Sequence, residues 1–357
     1  MRYLGLDVHS KATVACLLDA TGQQLASSSF PTSADDLDRL VRRYAADDEL
    51  LVGQEVGTLC HFVHDVVTAA GVRILSFNAY QLRMIASSRK KTDRRDAWWI
   101  AKALQTGMTP PPVHVPSGQV RRLRNLLARR DAVVAERKRW LLRARSYLRA
   151  GGCLLPKASR SVARLREKAV GQPDGLDLHL SESLDLCARQ EAALQVELDA
   201  INATLATESK EIDAIRRLKT IPAVGELVAA RIYAAVGDIS RFPNARALSS
   251  YAGLVPCVHQ SGDVLRTGRI TRMGAAGLRG VLIQAGHVLL FRCDPVKAGP
   301  LREIALHVQT TRGRRKIAVV AAARHILRIA YYVLRDGSTY DPRLLRSPTA
   351  AEPHAAA

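Results

Sequence analysis

The feature that most constrains the fold is the order of hydrophobic periods in the first hundred residues. Short apolar runs at Arg2–His9, Ala12–Ala20 and Gln24–Phe30 follow one another with only turns between them, Gly22 marking one. Then the period changes. Behind a polar break at residues 32–36, Leu37, Leu40, Val41 and Tyr44 recur on one face of a helix. Leu50–Gln54 and Val72–Phe77 read as strands again, with helical segments at His61–Ala70 and Tyr80–Ser87. A basic linker, Arg89–Lys91, leads into a further helix from about Asp93 to Leu104. Three strands joined by turns, then strands alternating with helices, predict an α/β domain over residues 1–108. Pro110, Pro111, Pro112 and Pro116 close it off.

Beyond that point the helical period dominates. Residues 119–150 carry Val120, Leu123, Leu127, Val134, Leu141 and Leu148 on one seam. Residues 181–218 carry Leu184, Cys187, Leu194, Leu198, Ile201, Leu205, Ile212 and Ile215, interrupted by Glu191 and Glu208. Both patterns suit an antiparallel coiled coil, within one chain or between chains, with Gly151–Gly175 as the connection. A basic helical, coiled-coil region at 119–218 is therefore expected, then a mainly α-helical domain at 219–337 and a disordered tail at 338–357.

Charge narrows the class of partner. The chain holds 53 Lys+Arg against 33 Asp+Glu, a net +20, and a protein that positive repels itself unless a polyanion relieves it. The surplus is concentrated. Between Arg121 and Arg149 stand eleven basic residues against Asp131 and Glu136, and from Lys297 to Arg335 nine against Glu303 alone. Such blocks read as phosphate-facing surfaces, with Arg121, Arg122, Arg124, Arg129, Arg130, Arg137, Lys138 and Arg139 as candidate contacts. The six cysteines are widely spaced, with no C-x-x-C pair, so neither a zinc site nor a disulfide framework is indicated. No charged and apolar leader precedes the strand pattern at Arg2, and no apolar stretch approaches the roughly 20 residues a bilayer span needs. A cytoplasmic, reduced protein with no membrane partner is the expectation.

Four acids stand out against this background. Asp7 ends an otherwise apolar strand in Gly5-Leu6-Asp7-Val8-His9-Ser10-Lys11, and Glu55 ends another in Val52-Gly53-Gln54-Glu55. A carboxylate there is costly to bury unless it is paired or binds a metal. Asp93 and Asp96, in Lys91-Thr92-Asp93-Arg94-Arg95-Asp96-Ala97, are three apart and share a helix side. Hard carboxylate oxygens suit Mg²⁺ or Mn²⁺, and two such ions can stabilise both attacking and leaving oxygens at phosphorus. Taken singly, Asp7 also reads as a turn residue and Asp93 as a helix N-cap. His9, Lys11 and His61 are near the acids in sequence and read by default as surface or packing residues, with support of the acids' ligands as the alternative. Trp98 and Trp99 cannot share a helix face, so one is expected in the core.

A second constellation follows the long helices. Ile221-Pro222-Ala223-Val224-Gly225 before a helical run suits a helix–hairpin–helix turn, whose amides at Gly225 can hold a phosphate, or a plain interhelical turn. Then come Tyr251-Ala252-Gly253-Leu254-Val255-Pro256, Gln260-Ser261-Gly262, Arg266, Arg269, Arg272 and Gly274. By chemistry alone Ser261 is a loop serine, with Ser249 and Ser250 equal competitors as nucleophile.

The order of elements is that of an RNase H-like domain. The Gly-Leu-Asp-Val-His-Ser-Lys segment, the strand-end Glu and Lys-Thr-Asp-Arg-Arg-Asp-Ala resemble the DEDD transposases of insertion sequences. That family includes Piv-type DNA invertases and bridge-RNA-guided recombinases. The turn Glu55-Val56-Gly57-Thr58 departs from the family's usual small residue and Thr-Gly. The later block from Ile221 through Arg241-Phe242, Ser261-Gly262 and Leu278-Arg279 resembles the family's C-terminal transposase domain.

The resemblance implies a RuvC-like domain whose acids Asp7, Glu55, Asp93 and Asp96 hold Mg²⁺ (or Mn²⁺). It implies Ser261 as nucleophile, forming a phosphoserine–DNA intermediate, and donor and target DNA and a guide RNA as partners. Self-association as a dimer or tetramer is also expected, with Arg266, Arg269 and Arg272 near the phosphate. A junction-resolving nuclease using water, a guide-free DNA invertase and an inactive nucleic-acid scaffold are the alternatives.

Overall fold

A computed structural model describes residues 1–85, 92–153, 161–170, 178–261 and 264–344. The chain forms two compact units, Met1–Val115 and Pro116–Ala357.

The N-terminal unit is built on one five-stranded sheet. Strands β1 (Arg2–Val8), β2 (Ala12–Leu18) and β3 (Gln24–Pro31) form an antiparallel meander. Strands β4 (Leu50–Glu55) and β5 (Arg73–Phe77) run parallel to β1, giving the order β3-β2-β1-β4-β5. Parallel neighbours need a crossover, and helices α1 (Ala34–Ala45) and α2 (Cys60–Ala69) supply it. Ser33 caps α1 by accepting from the Asp36 amide, with Asp35 and Asp36 in the first turn and Arg42 and Arg43 in the last.

Side chains alternate across the pleat, so each strand feeds two layers. Leu4, Leu6, Val52 and Ile74 pack beneath Leu37, Val41, Val63 and Val67 of α1 and α2. On the opposite face Val14, Cys16, Leu18, Leu51 and Phe77 meet helix α4 (Asp93–Thr106) through Ala97, Ala101, Ile100 and Leu104. A shorter helix, α3 (Ala79–Ile85), follows β5.

Among its described residues the C-terminal unit is mainly helical, with one hairpin. Helices α5 (Gly118–Ala150) and α7 (Leu178–Glu211) pack against each other in opposite directions, bridged by Arg129–Glu197 at 2.9 Å and Arg137–Glu191 at 3.2 Å. Three expectations are corrected here. Val134 is 39% exposed and Val133 is buried; at 3.6 residues per turn a strict seven-residue seam drifts, and the neighbouring position takes over. The pattern at 181–218 is not one helix, because Ile212 is extended (φ −101°, ψ 103°) and separates α7 from α8 (Asp213–Leu218). The segment expected as connection holds helix α6 (Val162–Val170), whose Val162, Leu165 and Ala169 bury against Ala144, Leu148, Leu184 and Cys187.

The rest of the unit comprises α9 (Glu226–Val236), α10 (Ala245–Tyr251), the hairpin β6 (Pro256–Ser261) and β7 (Val264–Ile270), α11 (Ala276–Phe291), α12 (Pro295–Arg312) and α13 (Arg315–Asp336). Their core also takes in Leu123, Leu127 and Leu205 from the long pair. Contrary to the expectation from sequence, α13 is long and apolar enough to cross a bilayer. Its Ala322, Ala323, Ile326, Leu327 and Ala330 are fully buried in the core of this unit, which accounts for that composition. The expected tail at 338–357 lies largely outside the described residues. Its first part is placed: the Tyr340 amide donates to Thr220 Oγ1 at 2.8 Å, and a short 3₁₀ turn spans Pro342–Leu344.

Candidate active site

The acid site begins with two glycines. Odd-numbered residues of β1 face α4, and a Cβ on Gly5 would overlap the Ala97 carbonyl and sit 2.6 Å from the Ala101 nitrogen. A Cβ on Gly53, next along the same face of β4, would meet Ile100 and Leu104 side-chain carbons at 2.8 Å. Only bare backbone lets α4 lie this close. The pleat then carries Asp7 and Glu55, two residues beyond each glycine, to that same face at the C-terminal strand ends. The pairing of Leu6 with Gln54 sets the two acids in adjacent register.

The first turn of α4 contributes Asp93 and Asp96. Their charges reach Asp7, whose carboxyl lies above the ordinary range. Burial is the main cause; His9 opposes it through charge and a hydrogen bond, and Asp93 and Asp96 push it up again. His9 Nε2 lies 3.2 Å from Asp7 Oδ2 and 3.7 Å from Asp93 Oδ1. His9 is exposed, in keeping with a surface position, and its ring also lies between two of the four acids. Lys11 and His61 are exposed. Trp98 packs on Val14, Cys16 and Leu18, and Trp99 meets it edge-on at 5.0 Å.

The donor chemistry fits a hard divalent cation. Asp7 is half-buried with like charges nearby, and an ion bound by several carboxylate oxygens relieves both the repulsion and the desolvation.

The serine region has its own scaffold. Thr271 N–H donates to Val255 O at 2.9 Å, Arg272 N–H to Gly253 O at 3.3 Å and Ala275 N–H to Tyr251 O at 3.1 Å. These bonds press segment 251–255 against 271–275 and clamp the base of the β6–β7 hairpin. Gly253 (φ 65°) and Gly274 (φ 88°) are required there, since a Cβ on either would run into the facing backbone. Ser261 ends β6, paired with Val264, rather than lying in an open loop. The side chains of Ser261 and Arg266 lie outside the described residues. Of the chemical competitors, Ser249 is buried with its hydroxyl donating to Ala245 O at 2.9 Å, whereas Ser250 is exposed on α10.

The basic block of α5 divides in two. Arg124 turns inward and donates to the carbonyls of Ala234 (2.6 Å) and Ala235 (3.3 Å), near the end of α9; burial lowers its pKa. Arg129 pairs with Glu197, Arg130 donates to Asn202 Oδ1 at 2.8 Å, Arg137 pairs with Glu191, and Arg139 pairs with Glu136. Arg124, Arg130 and Arg137 are half-buried and engaged within the fold, whereas the ion pairs of Arg129 and Arg139 lie at the surface, with those side chains 64% and 67% exposed. Arg122 and Lys138 are exposed and Arg121 is half-buried. In the C-terminal unit Arg269 and Arg272 are exposed. Gly225 is exposed at the start of α9, where no side chain caps the helix and Ala223 (φ 63°) makes the turn.

Residues 4–151 match a family model described as DEDD transposase of the IS110 type, and residues 215–299 match one described as transposase of the IS116/IS110/IS902 family. The chain belongs to the IS110 family of transposases. It is accordingly an enzyme of DNA transposition and recombination. This transposase is 25% identical to the transposase for insertion sequence element IS1328 of Yersinia enterocolitica, over 81% of the chain and 85% of that relative. It is 25% identical to an insertion element IS110 protein of Streptomyces coelicolor over 96% of each. A pilin gene-inverting protein of Moraxella bovis is 30% identical over 36% of the transposase and 38% of its own length. The first matched region contains all four acids; the second contains Gly225, Ser261, Arg266, Arg269 and Arg272.

Proposed function

We propose that the N-terminal unit is a RuvC-like nuclease domain of the RNase H type. Its Asp7, Glu55, Asp93 and Asp96 hold Mg²⁺ or Mn²⁺ for cutting the DNA of an insertion element. The observation that carries this reading is the register of β1 on β4, which sets Asp7 and Glu55 level at the strand ends, with the charges of Asp93 and Asp96 from the first turn of α4 reaching Asp7. The order β3-β2-β1-β4-β5 supports it. When bound, the ion supplies positive charge and Lewis acidity at the scissile phosphate. Asp7 and Glu55 are set by the sheet, and Asp93 and Asp96 by a helix seated directly on it, so the oxygen donors sit on rigid elements.

Ser261 is the proposed nucleophile. Its Oγ bonds to phosphorus as the bond from phosphorus to the 3′ oxygen breaks, and the serine proton ends on the departing 3′ hydroxyl. The phosphoserine link conserves the phosphodiester, so rejoining needs no further energy source. Residues 119–218 bind nucleic acid and mediate assembly as a dimer or tetramer through the α5–α7 pair. Residues 219–337 form the transposase domain, with the turn at Gly225 and the arginines Arg266, Arg269 and Arg272 against DNA, and 338–357 form its tail. Donor and target DNA are the substrates, a guide RNA from the element is the partner, and the cytoplasm is the compartment. The net charge of +20 supports polyanion partners.

The test uses a DNA substrate nicked next to the cleavage point, which blocks rejoining. Wild type accumulates a covalent adduct visible on a denaturing gel; Ser261→Ala binds the DNA and forms none, while Ser250→Ala still forms it. Cleavage by Ser261→Ala at the wild-type rate would make water the nucleophile and the enzyme a resolvase-like nuclease. The partial likeness to pilin gene-inverting proteins favours DNA inversion as the second reading, which the alternative stated above takes without a guide. RNA sequencing of protein purified with its element separates the two.

A further inference from the structure

The carboxylate site contains one donor that is not a carboxylate. His9 stands immediately after β1, and one ligand atom each from Asp7, His9 and Asp93 lies within 4.8 Å of the others. Among the described residues this is the group of three potential metal-ligating side chains that converges so closely. The main chain of His9 is anchored on both sides. Its N–H donates to Ala12 O at 3.1 Å, closing the turn into β2, and its carbonyl accepts from Thr32 Oγ1 at 2.8 Å. The ring therefore projects from a fixed point. Although 55% of the side chain is exposed, Nε2 lies 3.2 Å from Asp7 Oδ2 and 3.7 Å from Asp93 Oδ1.

We infer that His9 is a nitrogen ligand to the ion held by the four acids, and that it biases the site from Mg²⁺ toward Mn²⁺. The inference rests on the metal reading above. Mg²⁺ demands oxygen donors and gives up its waters reluctantly. An imidazole among carboxylates favours transition ions, which accept nitrogen more readily. His9 Nε2 is the donor atom, because it is the ring nitrogen that faces the acids. The competing role is that of a counter-ion: an imidazolium that neutralises Asp7 and Asp93 only while no metal is bound, and leaves when one enters.

Pulsed EPR of the full-length protein loaded with one equivalent of Mn²⁺ decides between them. Ligation predicts ¹⁴N coupling in the wild type that disappears in His9→Ala and His9→Gln. The Mn²⁺ dissociation constant should rise at least about tenfold in both variants, since loss of even an outer partner of a metal ligand costs that much. The Mg²⁺ constant, measured by competition, should change far less. Circular dichroism melts confirm that the variants fold, and the glutamine variant keeps the test open if the alanine variant does not. Mn²⁺ that binds with Asp7 dependence but without ¹⁴N coupling, or binds as tightly to both variants, overturns ligation by His9 and leaves the metal site intact. Absence of Mn²⁺ binding to the wild type, or binding unaffected by Asp7→Asn, overturns the metal reading itself and the inference with it.

Discussion

Replacing Gly5 by alanine tests how the acid site is assembled. The added methyl would overlap the Ala97 carbonyl and stand 2.6 Å from the Ala101 nitrogen, where ordinary contact begins at 3.4 Å. Both atoms belong to the helix backbone, so no side chain can rotate aside and α4 must move. Protein interiors resist such shifts, and overpacking of this kind costs about 3 kcal/mol, the upper part of its usual range. For a unit the size of Met1–Val115 that is roughly 12 °C in melting temperature. Gly53→Ala should cost less, since the methyl meets the ends of the Ile100 and Leu104 side chains, which can repack. Displacing α4 also moves Asp93 and Asp96 away from Asp7, and a misplacement of about 1 Å in a catalytic constellation lowers rates about 10²-fold. The assay pairs thermal melts of residues 1–357 with strand-cleavage rates well below the melting point. If Gly5→Ala melts within a few degrees of wild type and cleaves at its rate, α4 does not rest on β1 and the account of the site is wrong.

Two further outcomes follow from the same geometry. Asp7 has a carboxyl pKa raised in the folded state, chiefly by burial, so ionising it costs stability as pH rises past the ordinary carboxylate range. Asp7→Asn should therefore melt higher than wild type at pH 7 without metal, lose that advantage in strong acid, and abolish cleavage; a lower melting point at pH 7 would show that the His9 contact outweighs burial. Arg137→Glu would face Glu191, which is 8% exposed and also accepts the Val162 amide at 2.6 Å. It should cost about 3 kcal/mol, the low end for a broken buried pair because Arg137 itself is 32% exposed, whereas Lys138→Glu should leave the melt unchanged and weaken DNA binding. Equal melts for the two would place Glu191 in water.

What could be read in advance was what local period encodes. Strands β1 to β5 and the helices between them follow from the switch between two-residue and 3.6-residue spacing, and Asp7 and Glu55 were visible because each ends an apolar run. His9 was not, because its role depends on α4 returning over a strand more than eighty residues earlier in the chain; its one local signal is a place two residues after Asp7. Helix α6 was masked by a segment rich in glycine, proline and charge, although Val162, Leu165 and Ala169 keep helical spacing. The β6–β7 hairpin interrupts a region whose period is otherwise helical, and short strands of this kind carry little periodic signal of their own.

The arginines of α5 show the deeper limit. A guanidinium facing phosphate and one facing a carboxylate 54 or 68 residues away are identical in sequence. Charge counting therefore measures the total and not its destination. Because Arg124, Arg130 and Arg137 are half-buried and hydrogen-bonded or paired within the protein, the block can neutralise fewer phosphates than its eleven basic residues suggest. Each duplex phosphate contact contributes about 0.9 to the slope of log affinity against log salt. A slope from this block as steep as its full basic count requires would mean that these internal pairs open when DNA binds.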